Sequence, residues 1–289
     1  MNLLIRADSS SQIGLGHIMR DLVLAQQYPH ANIIFACQNL AGNIMNKIPY
    51  AAHVLKSNTP EELIEVIKDK NISRVIFDHY EIDHLFEKMV KESTGITIVS
   101  LDDTYQKHCC DILINPNIYA DEKRYHRLVD TRTILRCGKE FLLIREEFQI
   151  AAQKSKLPTN AIFVAMGGSD PRNLSMDIIT ALPATHTIHL ITTTANPNLD
   201  QLQSYSYKYP HLRLHINTQD MANLMHQCAF AIITPSSIAH EVMFMNLPFI
   251  AIQSADNQSE FVAYMEREHL NVLHHFEKKS FLALLEKLL

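Results

Sequence analysis

Short apolar runs rich in β-branched residues alternate with amphipathic helical patterns along the whole chain. In the first half Leu3–Ile5 reads as a strand, 18–27 as a helix and Asn32–Ala36 as a second strand. Further strand-like runs follow, at 75–77, 96–99, 161–166, 187–193, 212–216, 230–234 and 248–252. Strands that alternate with helices in this way pair in parallel. The sequence therefore predicts an α/β protein with doubly wound, Rossmann-like sheets.

The chain is long enough for two domains. At 289 residues it exceeds the usual size of a single hydrophobic core. Residues 151–159 are polar and contain a proline, and the buried-strand run Ala161–Met166 follows them. We predict an N-terminal domain at 1–150, a linker at 151–159 and a C-terminal domain at 160–289. Open α/β sheets bind ligands beyond the carboxyl ends of their strands, so we expect the two domains to face each other across one cleft.

Charge and composition exclude several classes of protein. The net charge is −5 and the basic residues form no long run, which argues against a nucleic-acid surface. No apolar run approaches the ~18 residues of a spanning helix, and the apolar start is too short for a signal peptide. The 5 cysteines are odd in number and lack CxxC spacing, as is typical of reduced thiols. We expect a cytoplasmic monomer that contacts neither membranes nor nucleic acid.

A glycine-rich loop leads from the first strand into the first helix and ends in Gly14-Leu15-Gly16-His17. The glycines, Gly16 in particular, allow a ligand to approach the backbone closely. Met19 stands where a dinucleotide-binding loop would need its third glycine, which disfavours NAD and FAD. The positive end of a helix dipole favours a neutral imidazole, the form that a general base requires. We therefore predict that His17 is catalytic; the alternative is that it only hydrogen-bonds its own loop.

Three strand ends of the second half also lead into helices. Gly167 and Gly168 would free backbone amides for a diphosphate, and the alternative is a simple glycine turn. Ser236 and Ser237 begin another helix, which the hydroxyls could merely cap. One turn into that helix, Glu241 could accept hydrogen bonds from a ribose diol or pair with a surface cation. The third strand end leads through residues 256–259. We expect the three helix starts to converge on one ligand.

Other polar residues follow strands of the first half. Asp78-His79-Tyr80 follows one strand, and Asp102-Asp103 follows the next. A carboxylate pair can hold a divalent metal but more often caps a turn. His108 and the pair 274–275 lack tetrahedral ligand spacing and are interpreted as structural. The sequence predicts neither a metal nor a cofactor.

Six motifs together give the chain a family resemblance. They are residues 5–21 (IRADSSSQIGLGHIMRD), 78–80 (DHY), 143–148 (LIREEF), 166–173 (MGGSDPRN), 236–241 (SSIAHE) and 257–258 (NQ). With these motifs the chain resembles the UDP-2,4-diacetamido-2,4,6-trideoxy-β-L-altropyranose hydrolases of pseudaminic acid biosynthesis, which are relatives of the GT-B glycosyltransferases. The first motif is long enough to be specific. No resemblance extends beyond about Phe276, so the role of the last helix stays open.

The resemblance implies that the two domains have different roles. The C-terminal domain would bind UDP, and the sugar would project toward the N-terminal domain, where His17 would activate water. Asn173 and Glu241 would contact the nucleotide sugar, and Tyr80 and Asn257 would lie near the sugar and diphosphate. The implied reaction cleaves the anomeric C–O bond with inversion and without a metal.

Three alternatives remain open. A GT-B glycosyltransferase could use the same UDP-sugar donor and pass the sugar to an alcohol or a lipid, since the fold does not separate the two activities. A non-catalytic nucleotide-sugar binding module would keep the C-terminal loops without needing His17. Cleavage could also occur at phosphorus instead of carbon.

Overall fold

The computed structural model describes residues 1–10, 12–156 and 159–289. Ser11 of the glycine-histidine loop, and Leu157 and Pro158 of the predicted linker, lie outside the described residues. The chain divides into two compact units, Met1–Leu143 and Ile144–Leu289. This division lies upstream of the predicted linker at 151–159 because helix α4 (Glu146–Ala152) buries Phe148 and Ala151 and packs against helices of the second unit.

The first unit contains a parallel sheet flanked by helices. Its strands, in chain order, are β1 (Asn2–Ala7), β2 (Asn32–Gln38), β3 (Ala51–Leu55), β4 (Arg74–Asp78), β5 (Thr97–Leu101), β6 (Ile112–Asn115) and β7 (Ile134–Cys137). Its helices are α1 (Gly16–Gln26), α2 (Pro60–Asp69) and α3 (His84–Thr94). The strand order is β3-β2-β1-β4-β5-β6-β7. From β1 the chain adds β2 and β3 on one side of the sheet and then β4 to β7 on the other, so the strand order reverses between β1 and β4.

Both faces of this sheet are covered. Side chains alternate along a strand, and in β1 Leu3 and Ile5 join one apolar cluster while Leu4 joins the other. All three are fully buried. A strand buried on both faces has to be apolar at consecutive positions, which is why β1 reads as an uninterrupted apolar run.

The second unit repeats the plan. Its strands are β8 (Ile162–Ala165), β9 (Ile188–Thr192), β10 (Leu212–Ile216), β11 (Phe230–Ile233), β12 (Phe249–Ile252) and β13 (Val272–Leu273). The helices that follow α4 are α5 (Leu174–Ala181), α6 (Leu199–Lys208), α7 (Met221–His226), α8 (Ser237–Phe244), α9 (Ser259–Arg267) and α10 (Lys278–Leu285). The strands are parallel in the order β10-β9-β8-β11-β12-β13. The last helix, α10, buries Phe281 and Leu285 in the core of this unit.

The predicted fold class is confirmed, since each unit is a doubly wound parallel sheet with Rossmann-like topology. In such sheets the ligand-binding loops follow the two strands at which the order reverses. Those strands are β1 and β4 in the first unit and β8 and β11 in the second. Among the described residues, no helix is both long and apolar enough to cross a membrane.

Candidate functional site

His17 lies in the first turn of α1, directly beyond the carboxyl end of β1. Its side chain retains 8% exposure, and its Nδ1 lies 2.7 Å from Oδ1 of Asp78. Asp78 is the last residue of β4, which pairs with β1 in parallel and thus ends at the same edge of the sheet. No described residue forms a hydrogen bond with Nε2 of His17. One ring nitrogen is thus held by the protein, and the other is open to a ligand.

Arg20 binds the same carboxylate from the next turn of α1. Its Nε donates to Oδ2 of Asp78 at 2.5 Å, and its Nη2 donates to Oδ1. Asp78 is 1% exposed. Burial raises the pKa of Asp78, but the charge and hydrogen bonds of Arg20 and the contact with His17 outweigh it, and the pKa falls well below its usual range. Asp78 is therefore an ionised carboxylate.

Tyr80 covers the histidine ring edge-on. The two ring centroids are 4.7 Å apart at an interplanar angle of 78°, and Tyr80 is 64% exposed. Its hydroxyl donates to Oδ2 of Asp103 at 3.3 Å, and Arg20 Nη1 donates to the same oxygen at 2.8 Å. Tyr80 is thus positioned by the charged cluster and still presents its ring to solvent, as a substrate contact requires.

Asp21, on α1, is a second buried carboxyl near His17, in addition to Asp78 on β4. It is fully buried, and neither oxygen has a hydrogen-bond partner among the described residues. Burial and the nearby Asp78 carboxylate raise the pKa of Asp21 well above its usual range. These effects favour the protonated form of Asp21, in which it lies near Asp78 with less charge repulsion.

A separate ion pair anchors the start of the loop before His17. The guanidinium of Arg6 donates to both oxygens of Asp8, at 2.8 Å and 2.9 Å. Nε2 of His79 lies 3.1 Å from Oδ2 of Asp8, and the amide of Gln38 donates to Oδ1 of Asp8 at 2.7 Å. The buried Arg6 and Asp8 use these contacts to fix the chain as it leaves β1, so the pair is structural.

Asp102 and Asp103 point to different partners. Oxygens of Asp102 accept from the Thr104 amide and hydroxyl, both at 2.8 Å, and from the Tyr125 hydroxyl at 2.9 Å. Asp103 faces Arg20 instead. Among the described residues, no group of three His, Cys, Asp or Glu side chains is arranged to hold a metal ion.

The glycine loop of the second unit follows β8. Gly167 has φ of +89°, a conformation that favours glycine, and a Cβ on Gly168 would lie 3.0 Å from Cγ2 of Thr193. Both glycines are exposed. However, Asp170 accepts hydrogen bonds from the first amides of α5, those of Leu174 at 2.9 Å and Ser175 at 2.8 Å. The amides that were predicted to bind a diphosphate at this helix start are therefore occupied by the protein's own carboxylate.

Asn173 immediately precedes α5 in the left-handed conformation, with φ of +54°. Its Nδ2 donates to Oε1 of Gln201 at 3.0 Å, and its Oδ1 is buried without a hydrogen-bond partner among the described residues. A buried acceptor left open is costly unless a ligand or water satisfies it. This arrangement fits the predicted contact between Asn173 and a bound nucleotide sugar.

Helix α8 begins directly after β11 without a side-chain cap. Ser236 is the residue before the first turn, and its hydroxyl lies 3.0 Å from the hydroxyl of Thr234 instead of bonding an amide of the helix. Ser237 is exposed at the first helical position. Because α8 is not capped in this way, its start offers amides and a positive dipole end to an anion.

Glu241 lies on α8 and is 9% exposed. Its Oε1 accepts from Nε of Arg145 at 2.8 Å, and no described residue forms a hydrogen bond with Oε2. Burial raises the pKa of Glu241, and the pairing with Arg145 only partly offsets this effect. One oxygen of the carboxylate is thus used by the protein and the other remains available.

Asn257 lies in a short 3₁₀ turn after β12, and its side chain is exposed. The adjacent Gln258 organises this turn, because its Oε1 accepts from the Ser254 amide at 2.8 Å. The structure thus brings the predicted residues of the second unit to the carboxyl ends of β8, β11 and β12.

Sequence reasoning gave no role to Asp78, Arg20 or Arg145, although it noted the motifs that contain them, and it considered Asp103 only as half of a carboxylate pair that could hold a metal or cap a turn. One signal was available, since His17 and Arg20 are three residues apart and share a face of α1. The partner of Glu241 had no local signal, because Arg145 and Glu241 are separated by 96 residues.

Comparison with known proteins places the chain among nucleotide-sugar enzymes. No family model matches the sequence. A curated relative from Campylobacter jejuni, a UDP-2,4-diacetamido-2,4,6-trideoxy-β-L-altropyranose hydrolase, is 40% identical over 272 residues, which cover 94% of this chain and 98% of the relative. The resemblance inferred from the six motifs is thereby confirmed.

Solved structures show the same fold at low identity. MurG from Acinetobacter baumannii matches 99% of this chain and 90% of its own, with a TM-score of 0.64 and 10% identity. A UDP-GlcNAc 2-epimerase from Neisseria meningitidis matches 99% of this chain and 91% of its own, with a TM-score of 0.60 and 12% identity. At this identity the likeness concerns the fold alone, which is of the GT-B type.

Proposed function

We propose, because this chain belongs to the family of UDP-2,4-diacetamido-2,4,6-trideoxy-β-L-altropyranose hydrolases, that it hydrolyses a UDP-linked 2,4-diacetamido-2,4,6-trideoxy sugar and releases UDP and the free sugar. Family membership over almost the entire chain is the observation that carries this proposal. The geometry around His17 and Glu241 supports the residues proposed for the reaction.

The proposed base is His17. Its Nε2 accepts a proton from water as the water oxygen attacks the anomeric carbon, while the bond from that carbon to the UDP oxygen breaks. An ordinary glycosidase also needs a carboxylic acid to protonate a poor leaving group. UDP is a good leaving group already, so a base and groups that stabilise the departing diphosphate are sufficient. Tyr80, exposed above the His17 ring, is proposed to contact the sugar.

The second unit is proposed to bind UDP. The start of α8 with Ser236 and Ser237, and the glycine turn at Gly167 and Gly168, would bind the diphosphate. Glu241 would accept a hydrogen bond from the ribose through Oε2. Asn173, whose Oδ1 lacks a partner among the described residues, and Asn257 are proposed as further contacts to the nucleotide sugar. Gly16 would let the ligand approach the backbone beside His17.

We also propose that the reaction inverts the anomeric centre, needs no metal or cofactor, and takes place in the cytoplasm with a monomeric enzyme. The 5 cysteines are free thiols, as a reducing compartment requires. Metal independence predicts unchanged turnover in the presence of a chelator, and size-exclusion chromatography with light scattering tests the monomer.

The decisive experiment is a product assay without an acceptor. Purified protein is incubated with the UDP-2,4-diacetamido sugar in water labelled with heavy oxygen, and the products are followed by NMR and mass spectrometry. We expect UDP and the free sugar, with the label on the sugar. Label on phosphate would contradict C–O cleavage, and release of UDP only after an alcohol or lipid acceptor is added would indicate a glycosyltransferase.

The matched variant is His17→Asn. It should fold and bind UDP as the unmodified protein does but lose turnover. Substantial residual hydrolysis in His17→Asn would reject His17 as the base. If the unmodified protein binds UDP but releases no sugar, the chain is a binding module.

A further inference from the structure

We propose that Asp78 is a positioning residue that holds His17 in the tautomer with its proton on Nδ1, and that Arg20 anchors Asp78 for this task. In this tautomer the lone pair lies on Nε2, the nitrogen that forms no hydrogen bond with the described residues. The inference rests on the proposed role of His17 as the base, but its first test does not use turnover.

The distances select the tautomer. His17 Nδ1 lies 2.7 Å from Oδ1 of Asp78. At this distance an N–H on Nδ1 forms a strong hydrogen bond to the carboxylate, whereas a lone pair on Nδ1 would face the lone pairs of the oxygen. Arg20 Nη2 also lies near Nδ1, but at the longer distance of 3.2 Å, and the same Nη2 already donates to Asp78. The shorter contact decides in favour of a protonated Nδ1.

Asp78 is held rigidly enough to orient the ring. Nε and Nη2 of Arg20 bind both oxygens of the carboxylate, and Nη1 binds Asp103 at 2.8 Å. Asp78 also ends a central strand of the sheet, so its backbone is fixed by pairing with β1. A carboxylate held in this way cannot rotate away when the imidazole changes its protonation state.

The charges around the ring suit proton uptake at Nε2. The groups within the cluster are the Asp78 and Asp103 carboxylates, the Arg20 guanidinium, the Asp21 carboxyl, whose pKa is raised, and the Tyr80 hydroxyl. With a neutral His17 the Asp78 and Asp103 carboxylates outnumber the Arg20 guanidinium by one negative charge, and an imidazolium balances it. Asp78 therefore both fixes the tautomer and stabilises the charge that His17 acquires when it takes a proton from water.

The first test reads the tautomer directly. Protein labelled with ¹⁵N in its histidines is studied by NMR at a pH where His17 is neutral, and its signals are assigned by their loss in His17→Gln. We expect a protonated Nδ1 and an unprotonated Nε2. In Asp78→Asn the population should move toward the Nε2–H form that free imidazole prefers, whereas in Asp103→Asn it should not.

A protonated Nε2 in the unmodified protein would overturn the proposal. So would an unchanged tautomer in Asp78→Asn, or an equal shift in Asp103→Asn. These outcomes do not depend on the identity of the sugar, so they are distinguishable from a failure of the proposed hydrolysis.

The second test separates catalysis from binding. Asp78→Asn should lower kcat by on the order of 10⁴-fold, the scale seen when a histidine base is held in the wrong tautomer, and should leave the Kd for UDP unchanged. Arg20→Lys keeps the positive charge but cannot donate to both oxygens of Asp78 in the same way, so it should lower kcat less than Asp78→Asn does. A kcat near that of the unmodified enzyme in a folded Asp78→Asn would contradict the proposal.

Discussion

Nε of Arg145 donates a hydrogen bond of 2.8 Å to Oε1 of Glu241 inside the second unit. Nη1 of the same guanidinium lies 2.7 Å from Oε1 of Glu147, and its carbon lies 4.7 Å from the centre of the Phe148 ring. These contacts hold Arg145 in one orientation. Burial raises the pKa of Glu241 and Arg145 lowers it, so the pair favours the ionised form, which accepts hydrogen bonds from a ligand more strongly.

We expect Arg145→Met to weaken UDP binding by about tenfold or more, because hydrogen bonds to charged groups contribute about 1.5–3 kcal/mol. Methionine preserves most of the packing on Phe148 and removes only the charge and the donors. Titration calorimetry with UDP measures the effect. The matched control is Glu147→Gln, which leaves the pair of Arg145 with Glu241 intact and should bind UDP almost normally. Equal affinities in Arg145→Met and the unmodified protein would show that the pair does not support the nucleotide site.

The affinity for UDP should depend on pH through Glu241. Burial raises the pKa of this carboxyl, so as the pH falls it takes up its proton earlier than an exposed glutamate does. The protonated form accepts a ribose hydroxyl less strongly, and the Kd should rise on the acidic side. UDP itself titrates, so the measurement is the difference between the unmodified protein and Glu241→Gln across the same pH series. A constant difference at all pH values would contradict the prediction.

The positions of the strands could be predicted because a strand buried on both faces must be apolar throughout. The run at 230–234 is of this kind and exceeds β11 only by Thr234. The run at 212–216 matches β10 residue for residue, although apolar and polar residues alternate in this edge strand. Local capping was harder to predict. Helix α2 begins at Pro60, a residue that fits the first turn of a helix, but the preceding Thr59, of a type that often caps helix starts, lies within hydrogen-bond distance of Ser57 and makes no side-chain cap. Ser and Thr hydroxyls can bond to several nearby groups, and the sequence does not show which of these hydrogen bonds will form.

The location of the candidate site was also predictable in part. Parallel strands bring their carboxyl ends to one edge, which places the loop of His17 beside Asp78 and the loop of Gly167 beside Ser236. The side-chain pairings were not predictable, because they join residues far apart in sequence, 61 positions for His17 and Asp78. The amides at the start of α5 show the same limit. They were expected to be free, and the nearby Asp170 occupies them.

Two alanine substitutions separate a glycine needed for folding from one needed for ligand approach. A Cβ on Gly168 would lie 3.0 Å from Thr193, so Gly168→Ala must displace the side chain that donates to the Gly168 carbonyl at 2.8 Å. A Cβ on Gly16 would meet nothing within 4 Å. We expect Gly168→Ala to lower stability, by less than the roughly 1–3 kcal/mol of an overpacked core because Gly168 is exposed and Thr193 only half-buried, and Gly16→Ala to leave it unchanged while reducing kcat/KM.

Thermal unfolding and steady-state kinetics on both variants check this contrast. If Gly16→Ala is destabilised, the glycine is needed for folding. If Gly16→Ala is stable and fully active, Gly16 is not needed for ligand approach and the proposal for this residue is wrong.

His108 is interpreted as structural, and its surroundings make a prediction about stability. Its Nδ1 lies 2.8 Å from the buried Glu87, which also accepts from the Ser100 hydroxyl at 2.6 Å, and its Nε2 lies 3.7 Å from Asp102. Burial alone would lower the pKa of His108. The two carboxylates outweigh burial and raise the pKa from 6.5 to about 9. The charged imidazolium is therefore part of the folded first unit at neutral pH.

A histidine whose pKa is higher in the folded state contributes stability that is complete below its unfolded pKa of 6.5 and lost as the pH rises through about 9. A shift of this size corresponds to a few kcal/mol, at about 1.4 kcal/mol per pH unit. Urea unfolding between these pH values should show the free energy of unfolding falling as pH rises. His108→Gln should be less stable at the acidic end and lose most of this slope, whereas His274→Gln, at a histidine whose side chain is 61% exposed, should keep it. A slope that survives in His108→Gln would mean that other groups control the pH dependence, because no proton can then be released from position 108.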